Sequence, residues 1–450
     1  MKKQIHLSDH FTFRRLLRFT LPSIGMMVFT SIYGIVDGFF ISNFAGKTPF
    51  VAVNLIYPLL MILAAVGFMF GTGGAAIVAR TLGMKDRDRA NRYFSLFTYI
   101  ALALGLVLAV LGIVFLRPLV TMLGGEGQVL EDALLYGRIL LLALPFNVLQ
   151  YLFQSFFVTA ERPNFGLMAS ISAGVTNMVL DAVLVILLPQ PYKLAGAAVA
   201  TAMSQLVGGG LPLLYFGRKN NSLLKLGKTR FEGSVVMRAC INGSSEFLSN
   251  ISMNVVGVLY NLQLLKYAGE NGLAAYGVMM YVSFVFASVF IGYSVGTAPL
   301  FGYNDGAQNH KELKNILRKS FMLISISSLL MLCFAQFLTR PTCWLFVGYD
   351  SQLLAMTVSG FQIFSISFLF IGFGIFSSGF FTAMNDGLTS AIVSFLRTMI
   401  FQTAAILQMP RFFGLDGIWW STVVAEGAAM LLCCWVMIYK RQKNQVIPGR

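Results

Sequence analysis

Apolar runs of about twenty residues or more, separated by short polar breaks, recur along the whole chain. They lie near residues 15–43, 50–80, 93–117, 133–160, 164–188, 194–217, 237–266, 272–303, 319–339, 351–383, 388–409 and 415–439. A helix rises about 1.5 Å per residue and the hydrocarbon core is about 30 Å thick, so each run can cross a bilayer. The pattern predicts an all-α integral membrane protein of about twelve transmembrane helices. In the first run, Phe19–Asn43, a carboxylate, Asp37, lies well inside and a helix-bending Pro22 stands near the start. A charge at bilayer depth costs at least ~2.5 to 3.5 kcal/mol, so it is retained mainly where it has partners and a task.

The pattern also repeats. Phe44-Ala45-Gly46 matches Tyr267-Ala268-Gly269 at a spacing of 223, and the same spacing pairs Gly73 with Gly296, Ala75 with Ala298 and Gly83 with Gly306. It holds downstream, where Ser155, Phe157, Thr159 and Ala160 fall on Ser378, Phe380, Thr382 and Ala383. Near the ends Leu194, Gly196 and Thr201 meet Leu415, Gly417 and Thr422 at 221, the slip being assigned to the loop Pro189–Lys193. The longest polar stretch, Gly217–Gly233, falls between the copies and reads as a linker. The expected organisation is a six-helix lobe over 1–217, a cytoplasmic linker over 218–234 and a second six-helix lobe over 235–450. Two lobes that start from the same side suit an alternating-access carrier, with a channel or a scaffold as the other architectures.

Composition agrees: 57% of residues are hydrophobic and 11% charged, and the mean hydropathy is +0.74. The net charge of +15 raises the question of nucleic acid. Its distribution answers no, because 25 Lys and Arg fall on one set of loops and 7 on the other. The positive-inside rule then puts both termini in the cytoplasm. The basic start is read as part of a retained first helix rather than a cleaved leader. Cys240, Cys333, Cys343, Cys433 and Cys434 have neither metal spacing nor a pairing pattern and are expected to be small core residues. His6, His10 and His310 lie in polar ends or loops, which excludes an intramembrane histidine catalyst or metal site.

Candidate chemistry gathers in the first half. Asn177 and Asp181 are four apart and share a helix face. The preceding run adds a stripe of Asn147, Gln150 and Gln154; the following one adds Thr201, Ser204 and Gln205. Oxygen-rich faces avoid lipid, so a polar pocket inside the first lobe is expected, holding Asp37 and Asp181. Two carboxylates in such a pocket cannot cheaply both stay charged. One can hold a proton, or the pair can hold sodium with the Asn177 carbonyl and the Thr201 hydroxyl. The two ions are not separable at this level. At the repeat spacing Asp37 maps to Tyr260 and Asp181 to Ala404, so the pocket is asymmetric. The second half offers Glu246 with Asn250 and Asn254, then Arg397 and Glu426, as cavity or structural polar groups.

The runs VDGFFISNFAG (Val36–Gly46) and GTGGAAIVARTLGMKD (Gly71–Asp86), with the duplicated six-span layout, resemble the multidrug and toxic compound extrusion (MATE) transporters over essentially the full chain. The resemblance is to the prokaryotic DinF-like branch. It implies a coupling site at Asp37, Asn177, Asp181 and Thr201, a supporting network of Tyr136, Gln150 and Gln154, and a helix hinge at Pro22. A related branch uses acids in its second lobe, including one in the tenth span; this chain has none between Gly360 and Ala383, although Glu246 is similar to that branch's seventh-span acid. The resemblance further implies a bacterial inner-membrane monomer that exports amphipathic organic cations against protons or sodium, with no cofactor and no enzymatic step. A flippase for lipid-linked metabolites is the alternative. It would require a cationic cavity, and only Arg397 lies inside a run.

Overall fold

The computed structural model describes residues 5–218 and 221–442, all of its regular structure helical. Lys2, Lys3, Lys219, Lys443 and Arg450, counted in the charge asymmetry, lie outside the described residues. Ten continuous helical stretches are long and apolar enough to span a membrane. Two of them contain a left-handed glycine, Gly269 at φ 60° and Gly414 at φ 57°, where the chain reverses. Cut there, the stretches become twelve spans: α1 (Phe13–Phe40), α2 (Lys47–Gly83), α3 (Arg87–Met122), α4 (Gly127–Thr159), α5 (Pro163–Leu187), α6 (Lys193–Gly217), α7 (233–268), α8 (270–306), α9 (His310–Val347), α10 (Ser351–Ala383), α11 (387–413) and α12 (415–442). Gly269 is the repeat mate of Gly46, itself left-handed at φ 110° before α2. Only glycine enters that region freely, so the matched FAG and YAG triplets mark equivalent reversals.

Packing separates two hydrophobic cores. One gathers α2, α3, α4 and α6, the other α8, α9, α10 and α12. Each borrows from the opposite half. Leu7, Phe11, Leu16 and Phe19 pack into the second core, and Val235 and Ala239 at the start of α7 pack into the first. The contact between halves obeys the repeat. A Cβ on Gly83 would collide with the Tyr303 carbonyl, and one on Gly306 with the carbonyl of Arg80, the residue 223 before Tyr303. Gly73 lies 2.6 Å, as a virtual Cβ, from the Gly243 nitrogen, and its mate Gly296 lies 3.0 Å from Thr20, the mate of Gly243. Small residues therefore let the lobes touch backbone to backbone at this end, reinforced by an Arg80–Asp305 ion pair at 3.0 Å. At the far end a Cβ on Gly34, Gly38 or Gly257 meets nothing within 4 Å. The halves meet backbone to backbone on the linker side.

Residues 221–229 of the linker are docked on α3: Lys225 N donates to Asn91 Oδ1 at 2.8 Å and Gly227 N to Ser95 Oγ at 3.0 Å. A polar, glycine-containing segment can still pair its backbone with a helix flank. Cys343 and Cys433 are buried as expected, but Cys333 and Cys434 are exposed on helix faces, where a thiol tolerates a lipid-like surrounding.

Candidate coupling and transport site

The α1, α5 and α6 helices converge on one polar cluster. Thr201 Oγ1 donates to Asp37 Oδ1 at 3.3 Å, and Asn177 Nδ2 donates to Thr201 Oγ1 at 3.4 Å. Asp181, one turn beyond Asn177 on α5, is completely buried and faces Asp37. Neither of its carboxylate oxygens has a hydrogen-bond donor within the protein, nor has Asn177 Oδ1. Three buried acceptor oxygens on α5 thus have no donor in the protein. An unpaired buried acceptor costs ~1 to 3 kcal/mol and an isolated buried charge more, so such a cluster is poised for a proton or a small cation. For sodium, the chemistry fits a hard ion: two carboxylates, an amide carbonyl and a hydroxyl.

The supporting residues divide. Tyr136, almost wholly buried on α4, lies beside Thr201 and Asp37. Gln150, also on α4, donates to Tyr33 Oη at 3.3 Å and is wedged against Gly208 of α6. Gln154 is buried with neither amide atom paired, so no hydrogen bond joins it to the cluster. Sequence reasoning missed Tyr33 and Tyr57, which lie within electrostatic reach of Asp37. The signal for Tyr33 was available, since it precedes Asp37 by four residues on the same helix face. Pro22 is buried in an α1 that runs as α-helix from Phe13 to Phe40 and widens to a π-helical turn over Ile41–Ala45. It lies between Thr20 and Ser23, which touch Gly296 and Gly292 of α8.

The second lobe has a different polar cluster at the corresponding depth. Tyr260, at the Asp37 position, shares a hydrogen bond with Thr422 Oγ1 at 2.9 Å and donates to Gln402 Oε1 at 2.9 Å. Thr422 is the repeat mate of Thr201, so the hydroxyl contact of the first site recurs. Gln402 reaches Tyr260 from two positions before Ala404. Arg397, on a π-helical turn of α11 (Leu396–Phe401), donates to Glu426 Oε2 at 2.9 Å, and Gln402 Nε2 donates to the other oxygen at 3.4 Å. Gly374 of α10 leaves the room: a Cβ there would stand 2.7 Å from Arg397 Nε. Glu246 faces Arg397 from α7 without pairing within 4 Å. The Asn250 and Asn254 side-chain amides donate to the backbone carbonyls of Glu246 and Asn250, at 2.8 Å each, and so serve their own helix. No group of three or more His, Cys, Asp and Glu suited to a metal occurs among the described residues.

Against known proteins, the MatE family model matches residues 22–183 and 247–405. The multidrug export protein MepA of Staphylococcus haemolyticus is 27% identical over 438 residues, covering 96% of this chain and 95% of that protein. The MepA of Staphylococcus aureus strain NCTC 8325 is 25% identical over 439 residues, with the same coverage. Among solved structures, a MATE protein in complex with MaL6 aligns with a TM-score of 0.91 at 20% identity, covering 98% of each chain. An outward-facing multidrug resistance MATE family transporter of the MOP superfamily aligns at 0.90 and 20%, again over 98% of each. At these identities the structures speak for the fold: two six-helix halves of a MATE-type membrane protein.

Proposed function

Because the chain belongs to the MatE family, we propose that it is a secondary active exporter of amphipathic organic cations, driven by inward flow of protons or sodium through the Asp37–Asp181 cluster. The observation that carries this reading is the set of acceptor oxygens on Asp181 and Asn177 that have no protein donor beside the Thr201–Asp37 contact. A proton on either carboxyl supplies the missing donor, and a sodium ion takes the oxygens as ligands. Each stabilises the same packed state of α1, α5 and α6. Losing it leaves two buried acids facing each other, which drives α1 away from α5. Pro22 interrupts the α1 hydrogen-bond ladder fifteen residues before Asp37 and gives that displacement a place to occur. Movement of α1 changes the space between the lobes, and that space is where the substrate travels.

The named relatives are multidrug export proteins, which supports a broad apolar, cation-accepting path here. The partner is then a small amphipathic cation, with membrane lipids around a single copy in a bacterial inner membrane, both termini cytoplasmic. The flippase alternative loses support, since Arg397 is already neutralised by Glu426. The test uses purified protein in vesicles, a panel of fluorescent cations, and pH and sodium gradients imposed separately. Substrate movement is expected to follow one gradient and to fall at least ~5-fold in Asp181→Asn. Equal movement with no gradient, or undiminished gradient-driven movement in that variant, overturns the proposal.

A further inference from the structure

Ahead of α1, residues 5–12 run along the linker side and carry the same grip twice. His6 Nδ1 meets Glu161 Oε2 at 2.7 Å while the Leu7 N–H donates to Glu161 Oε1 at 2.6 Å. Four residues on, His10 Nδ1 meets Glu312 Oε2 at 2.7 Å and the Phe11 N–H donates to Glu312 Oε1 at 2.9 Å. Each carboxylate is thus held by an imidazole and the next backbone amide. Charge-assisted contacts of this kind are about twice as strong as neutral ones. Glu161 belongs to the α4–α5 turn of the first half and Glu312 to the first turn of α9 in the second. The Phe11 carbonyl is also held, by Lys319 Nζ at 2.6 Å and Asn315 Nδ2 at 3.1 Å. Leu7 and Phe11 are fully buried, and Phe11 packs edge-on against Phe19 at 5.9 Å. The segment joins both lobes across the face on which Gly83 and Gly306 meet the opposite backbone.

We propose that residues 5–12 form an inter-lobe strap, and that one of its two glutamate grips must release before this face can open. The inference rests on the two-lobe alternation proposed above. Its force is geometric. His6 and His10 are four residues apart, and four residues span at most ~14 Å when fully extended. While both grips hold, the α4–α5 turn and the start of α9 cannot separate beyond that length plus two side chains. The double anchor also explains why histidines stand at these two positions, a pattern that ion coupling and substrate passage leave unused.

The experiment ties the strap down. In full-length protein with its five cysteines replaced, the pairs His6→Cys/Glu161→Cys and His10→Cys/Glu312→Cys are introduced separately and together. They are joined with a cleavable bis-maleimide in vesicles, and transport of a fluorescent cation is followed beside amide exchange of residues 69–83. Either tether alone is expected to leave at least half the turnover. Both together are expected to reduce turnover at least tenfold and slow the exchange, with recovery on cleavage. Turnover in the doubly tethered protein equal to that of the single tethers overturns the strap. As a variant that needs no cross-link, Glu312→Ala is expected to speed exchange of residues 69–83 several-fold; unchanged exchange also overturns it. If substrate and ion gradients never alter that exchange in the untethered protein, alternation itself fails and takes the strap with it.

Discussion

The two lobes are built on one pattern and treat their buried polar centre in opposite ways. In the first, Asp37 and Asp181 bring two acids together, Thr201 and Asn177 add oxygens, and three acceptors are left without a protein donor. In the second, the Asp37 position is Tyr260, the hydroxyl mate is Thr422, and the bonds run without a gap from Thr422 through Tyr260 and Gln402 to Glu426 and Arg397. One centre lacks a positive charge; the other carries its own. A resident guanidinium cannot leave, so the second centre is fitted to hold helices together, while the first is the one to which the proposal above gives ion exchange. Duplication supplied the scaffold, and a few side chains divided the labour.

Removing the charge from the first centre strikes this contrast hardest. Asp37→Asn and Asp181→Asn are each expected to uncouple transport from its gradient, lowering gradient-driven flux by ~5- to 150-fold, the range of a 1 to 3 kcal/mol coupling energy. Gradient-dependent flux in vesicles checks it, with insertion followed separately. In the second centre the expected damage falls on stability. Arg397→Met leaves the Glu426 charge buried without its cation at a cost of ~3 to 5 kcal/mol, whereas the double variant Arg397→Met/Glu426→Met is expected near neutral. Denaturation in detergent measures both, and a single variant as stable as the double breaks the assignment of a resident pair. Tyr260→Phe removes hydrogen bonds to Thr422 and Gln402 for ~1 kcal/mol each, with gradient-driven flux unchanged. A loss of coupling there would mean that the second lobe exchanges ions after all. The smallest effect is expected from Pro22→Ala, which restores a helix bond, slowing transport while leaving ion binding intact; unaltered transport removes the hinge. Ion binding is read as protection from thermal unfolding.

Much of this architecture was legible because membranes restrict the choices. Apolar length gave the spans and glycines at fixed spacing gave the repeat, while the backbone contacts at Gly83 and Gly306 emerged only with the packing of the lobes. Asp37, Asn177, Asp181 and Thr201 were legible because acids and amides at bilayer depth are costly enough to need a reason. Tyr33 was legible from its place one turn before Asp37 and was passed over, whereas Tyr57 was hidden among sixteen tyrosines that periodicity does not sort. The pairing of Arg397 with Glu426 was hidden because the two lie on different helices, 29 residues apart. His6 and His10 were read as polar ends, since nothing in a short loop announces which carboxylates it will meet.

Hydrophobic run length, the repeat and the cost of a charge in lipid determined from sequence alone that the chain crosses the membrane about twelve times, in two related halves, with the Asp37 and Asp181 positions acidic only in the first. Local spacing carries that information, because a helix satisfies its own backbone and its exposure follows from its composition. Tertiary structure alone decided which acceptors stay unpaired, which cation is already spoken for, and that residues 5–12 clasp both lobes. Those facts depend on contacts between elements far apart in the chain, set by how the lobes pack rather than by any residue's own preference.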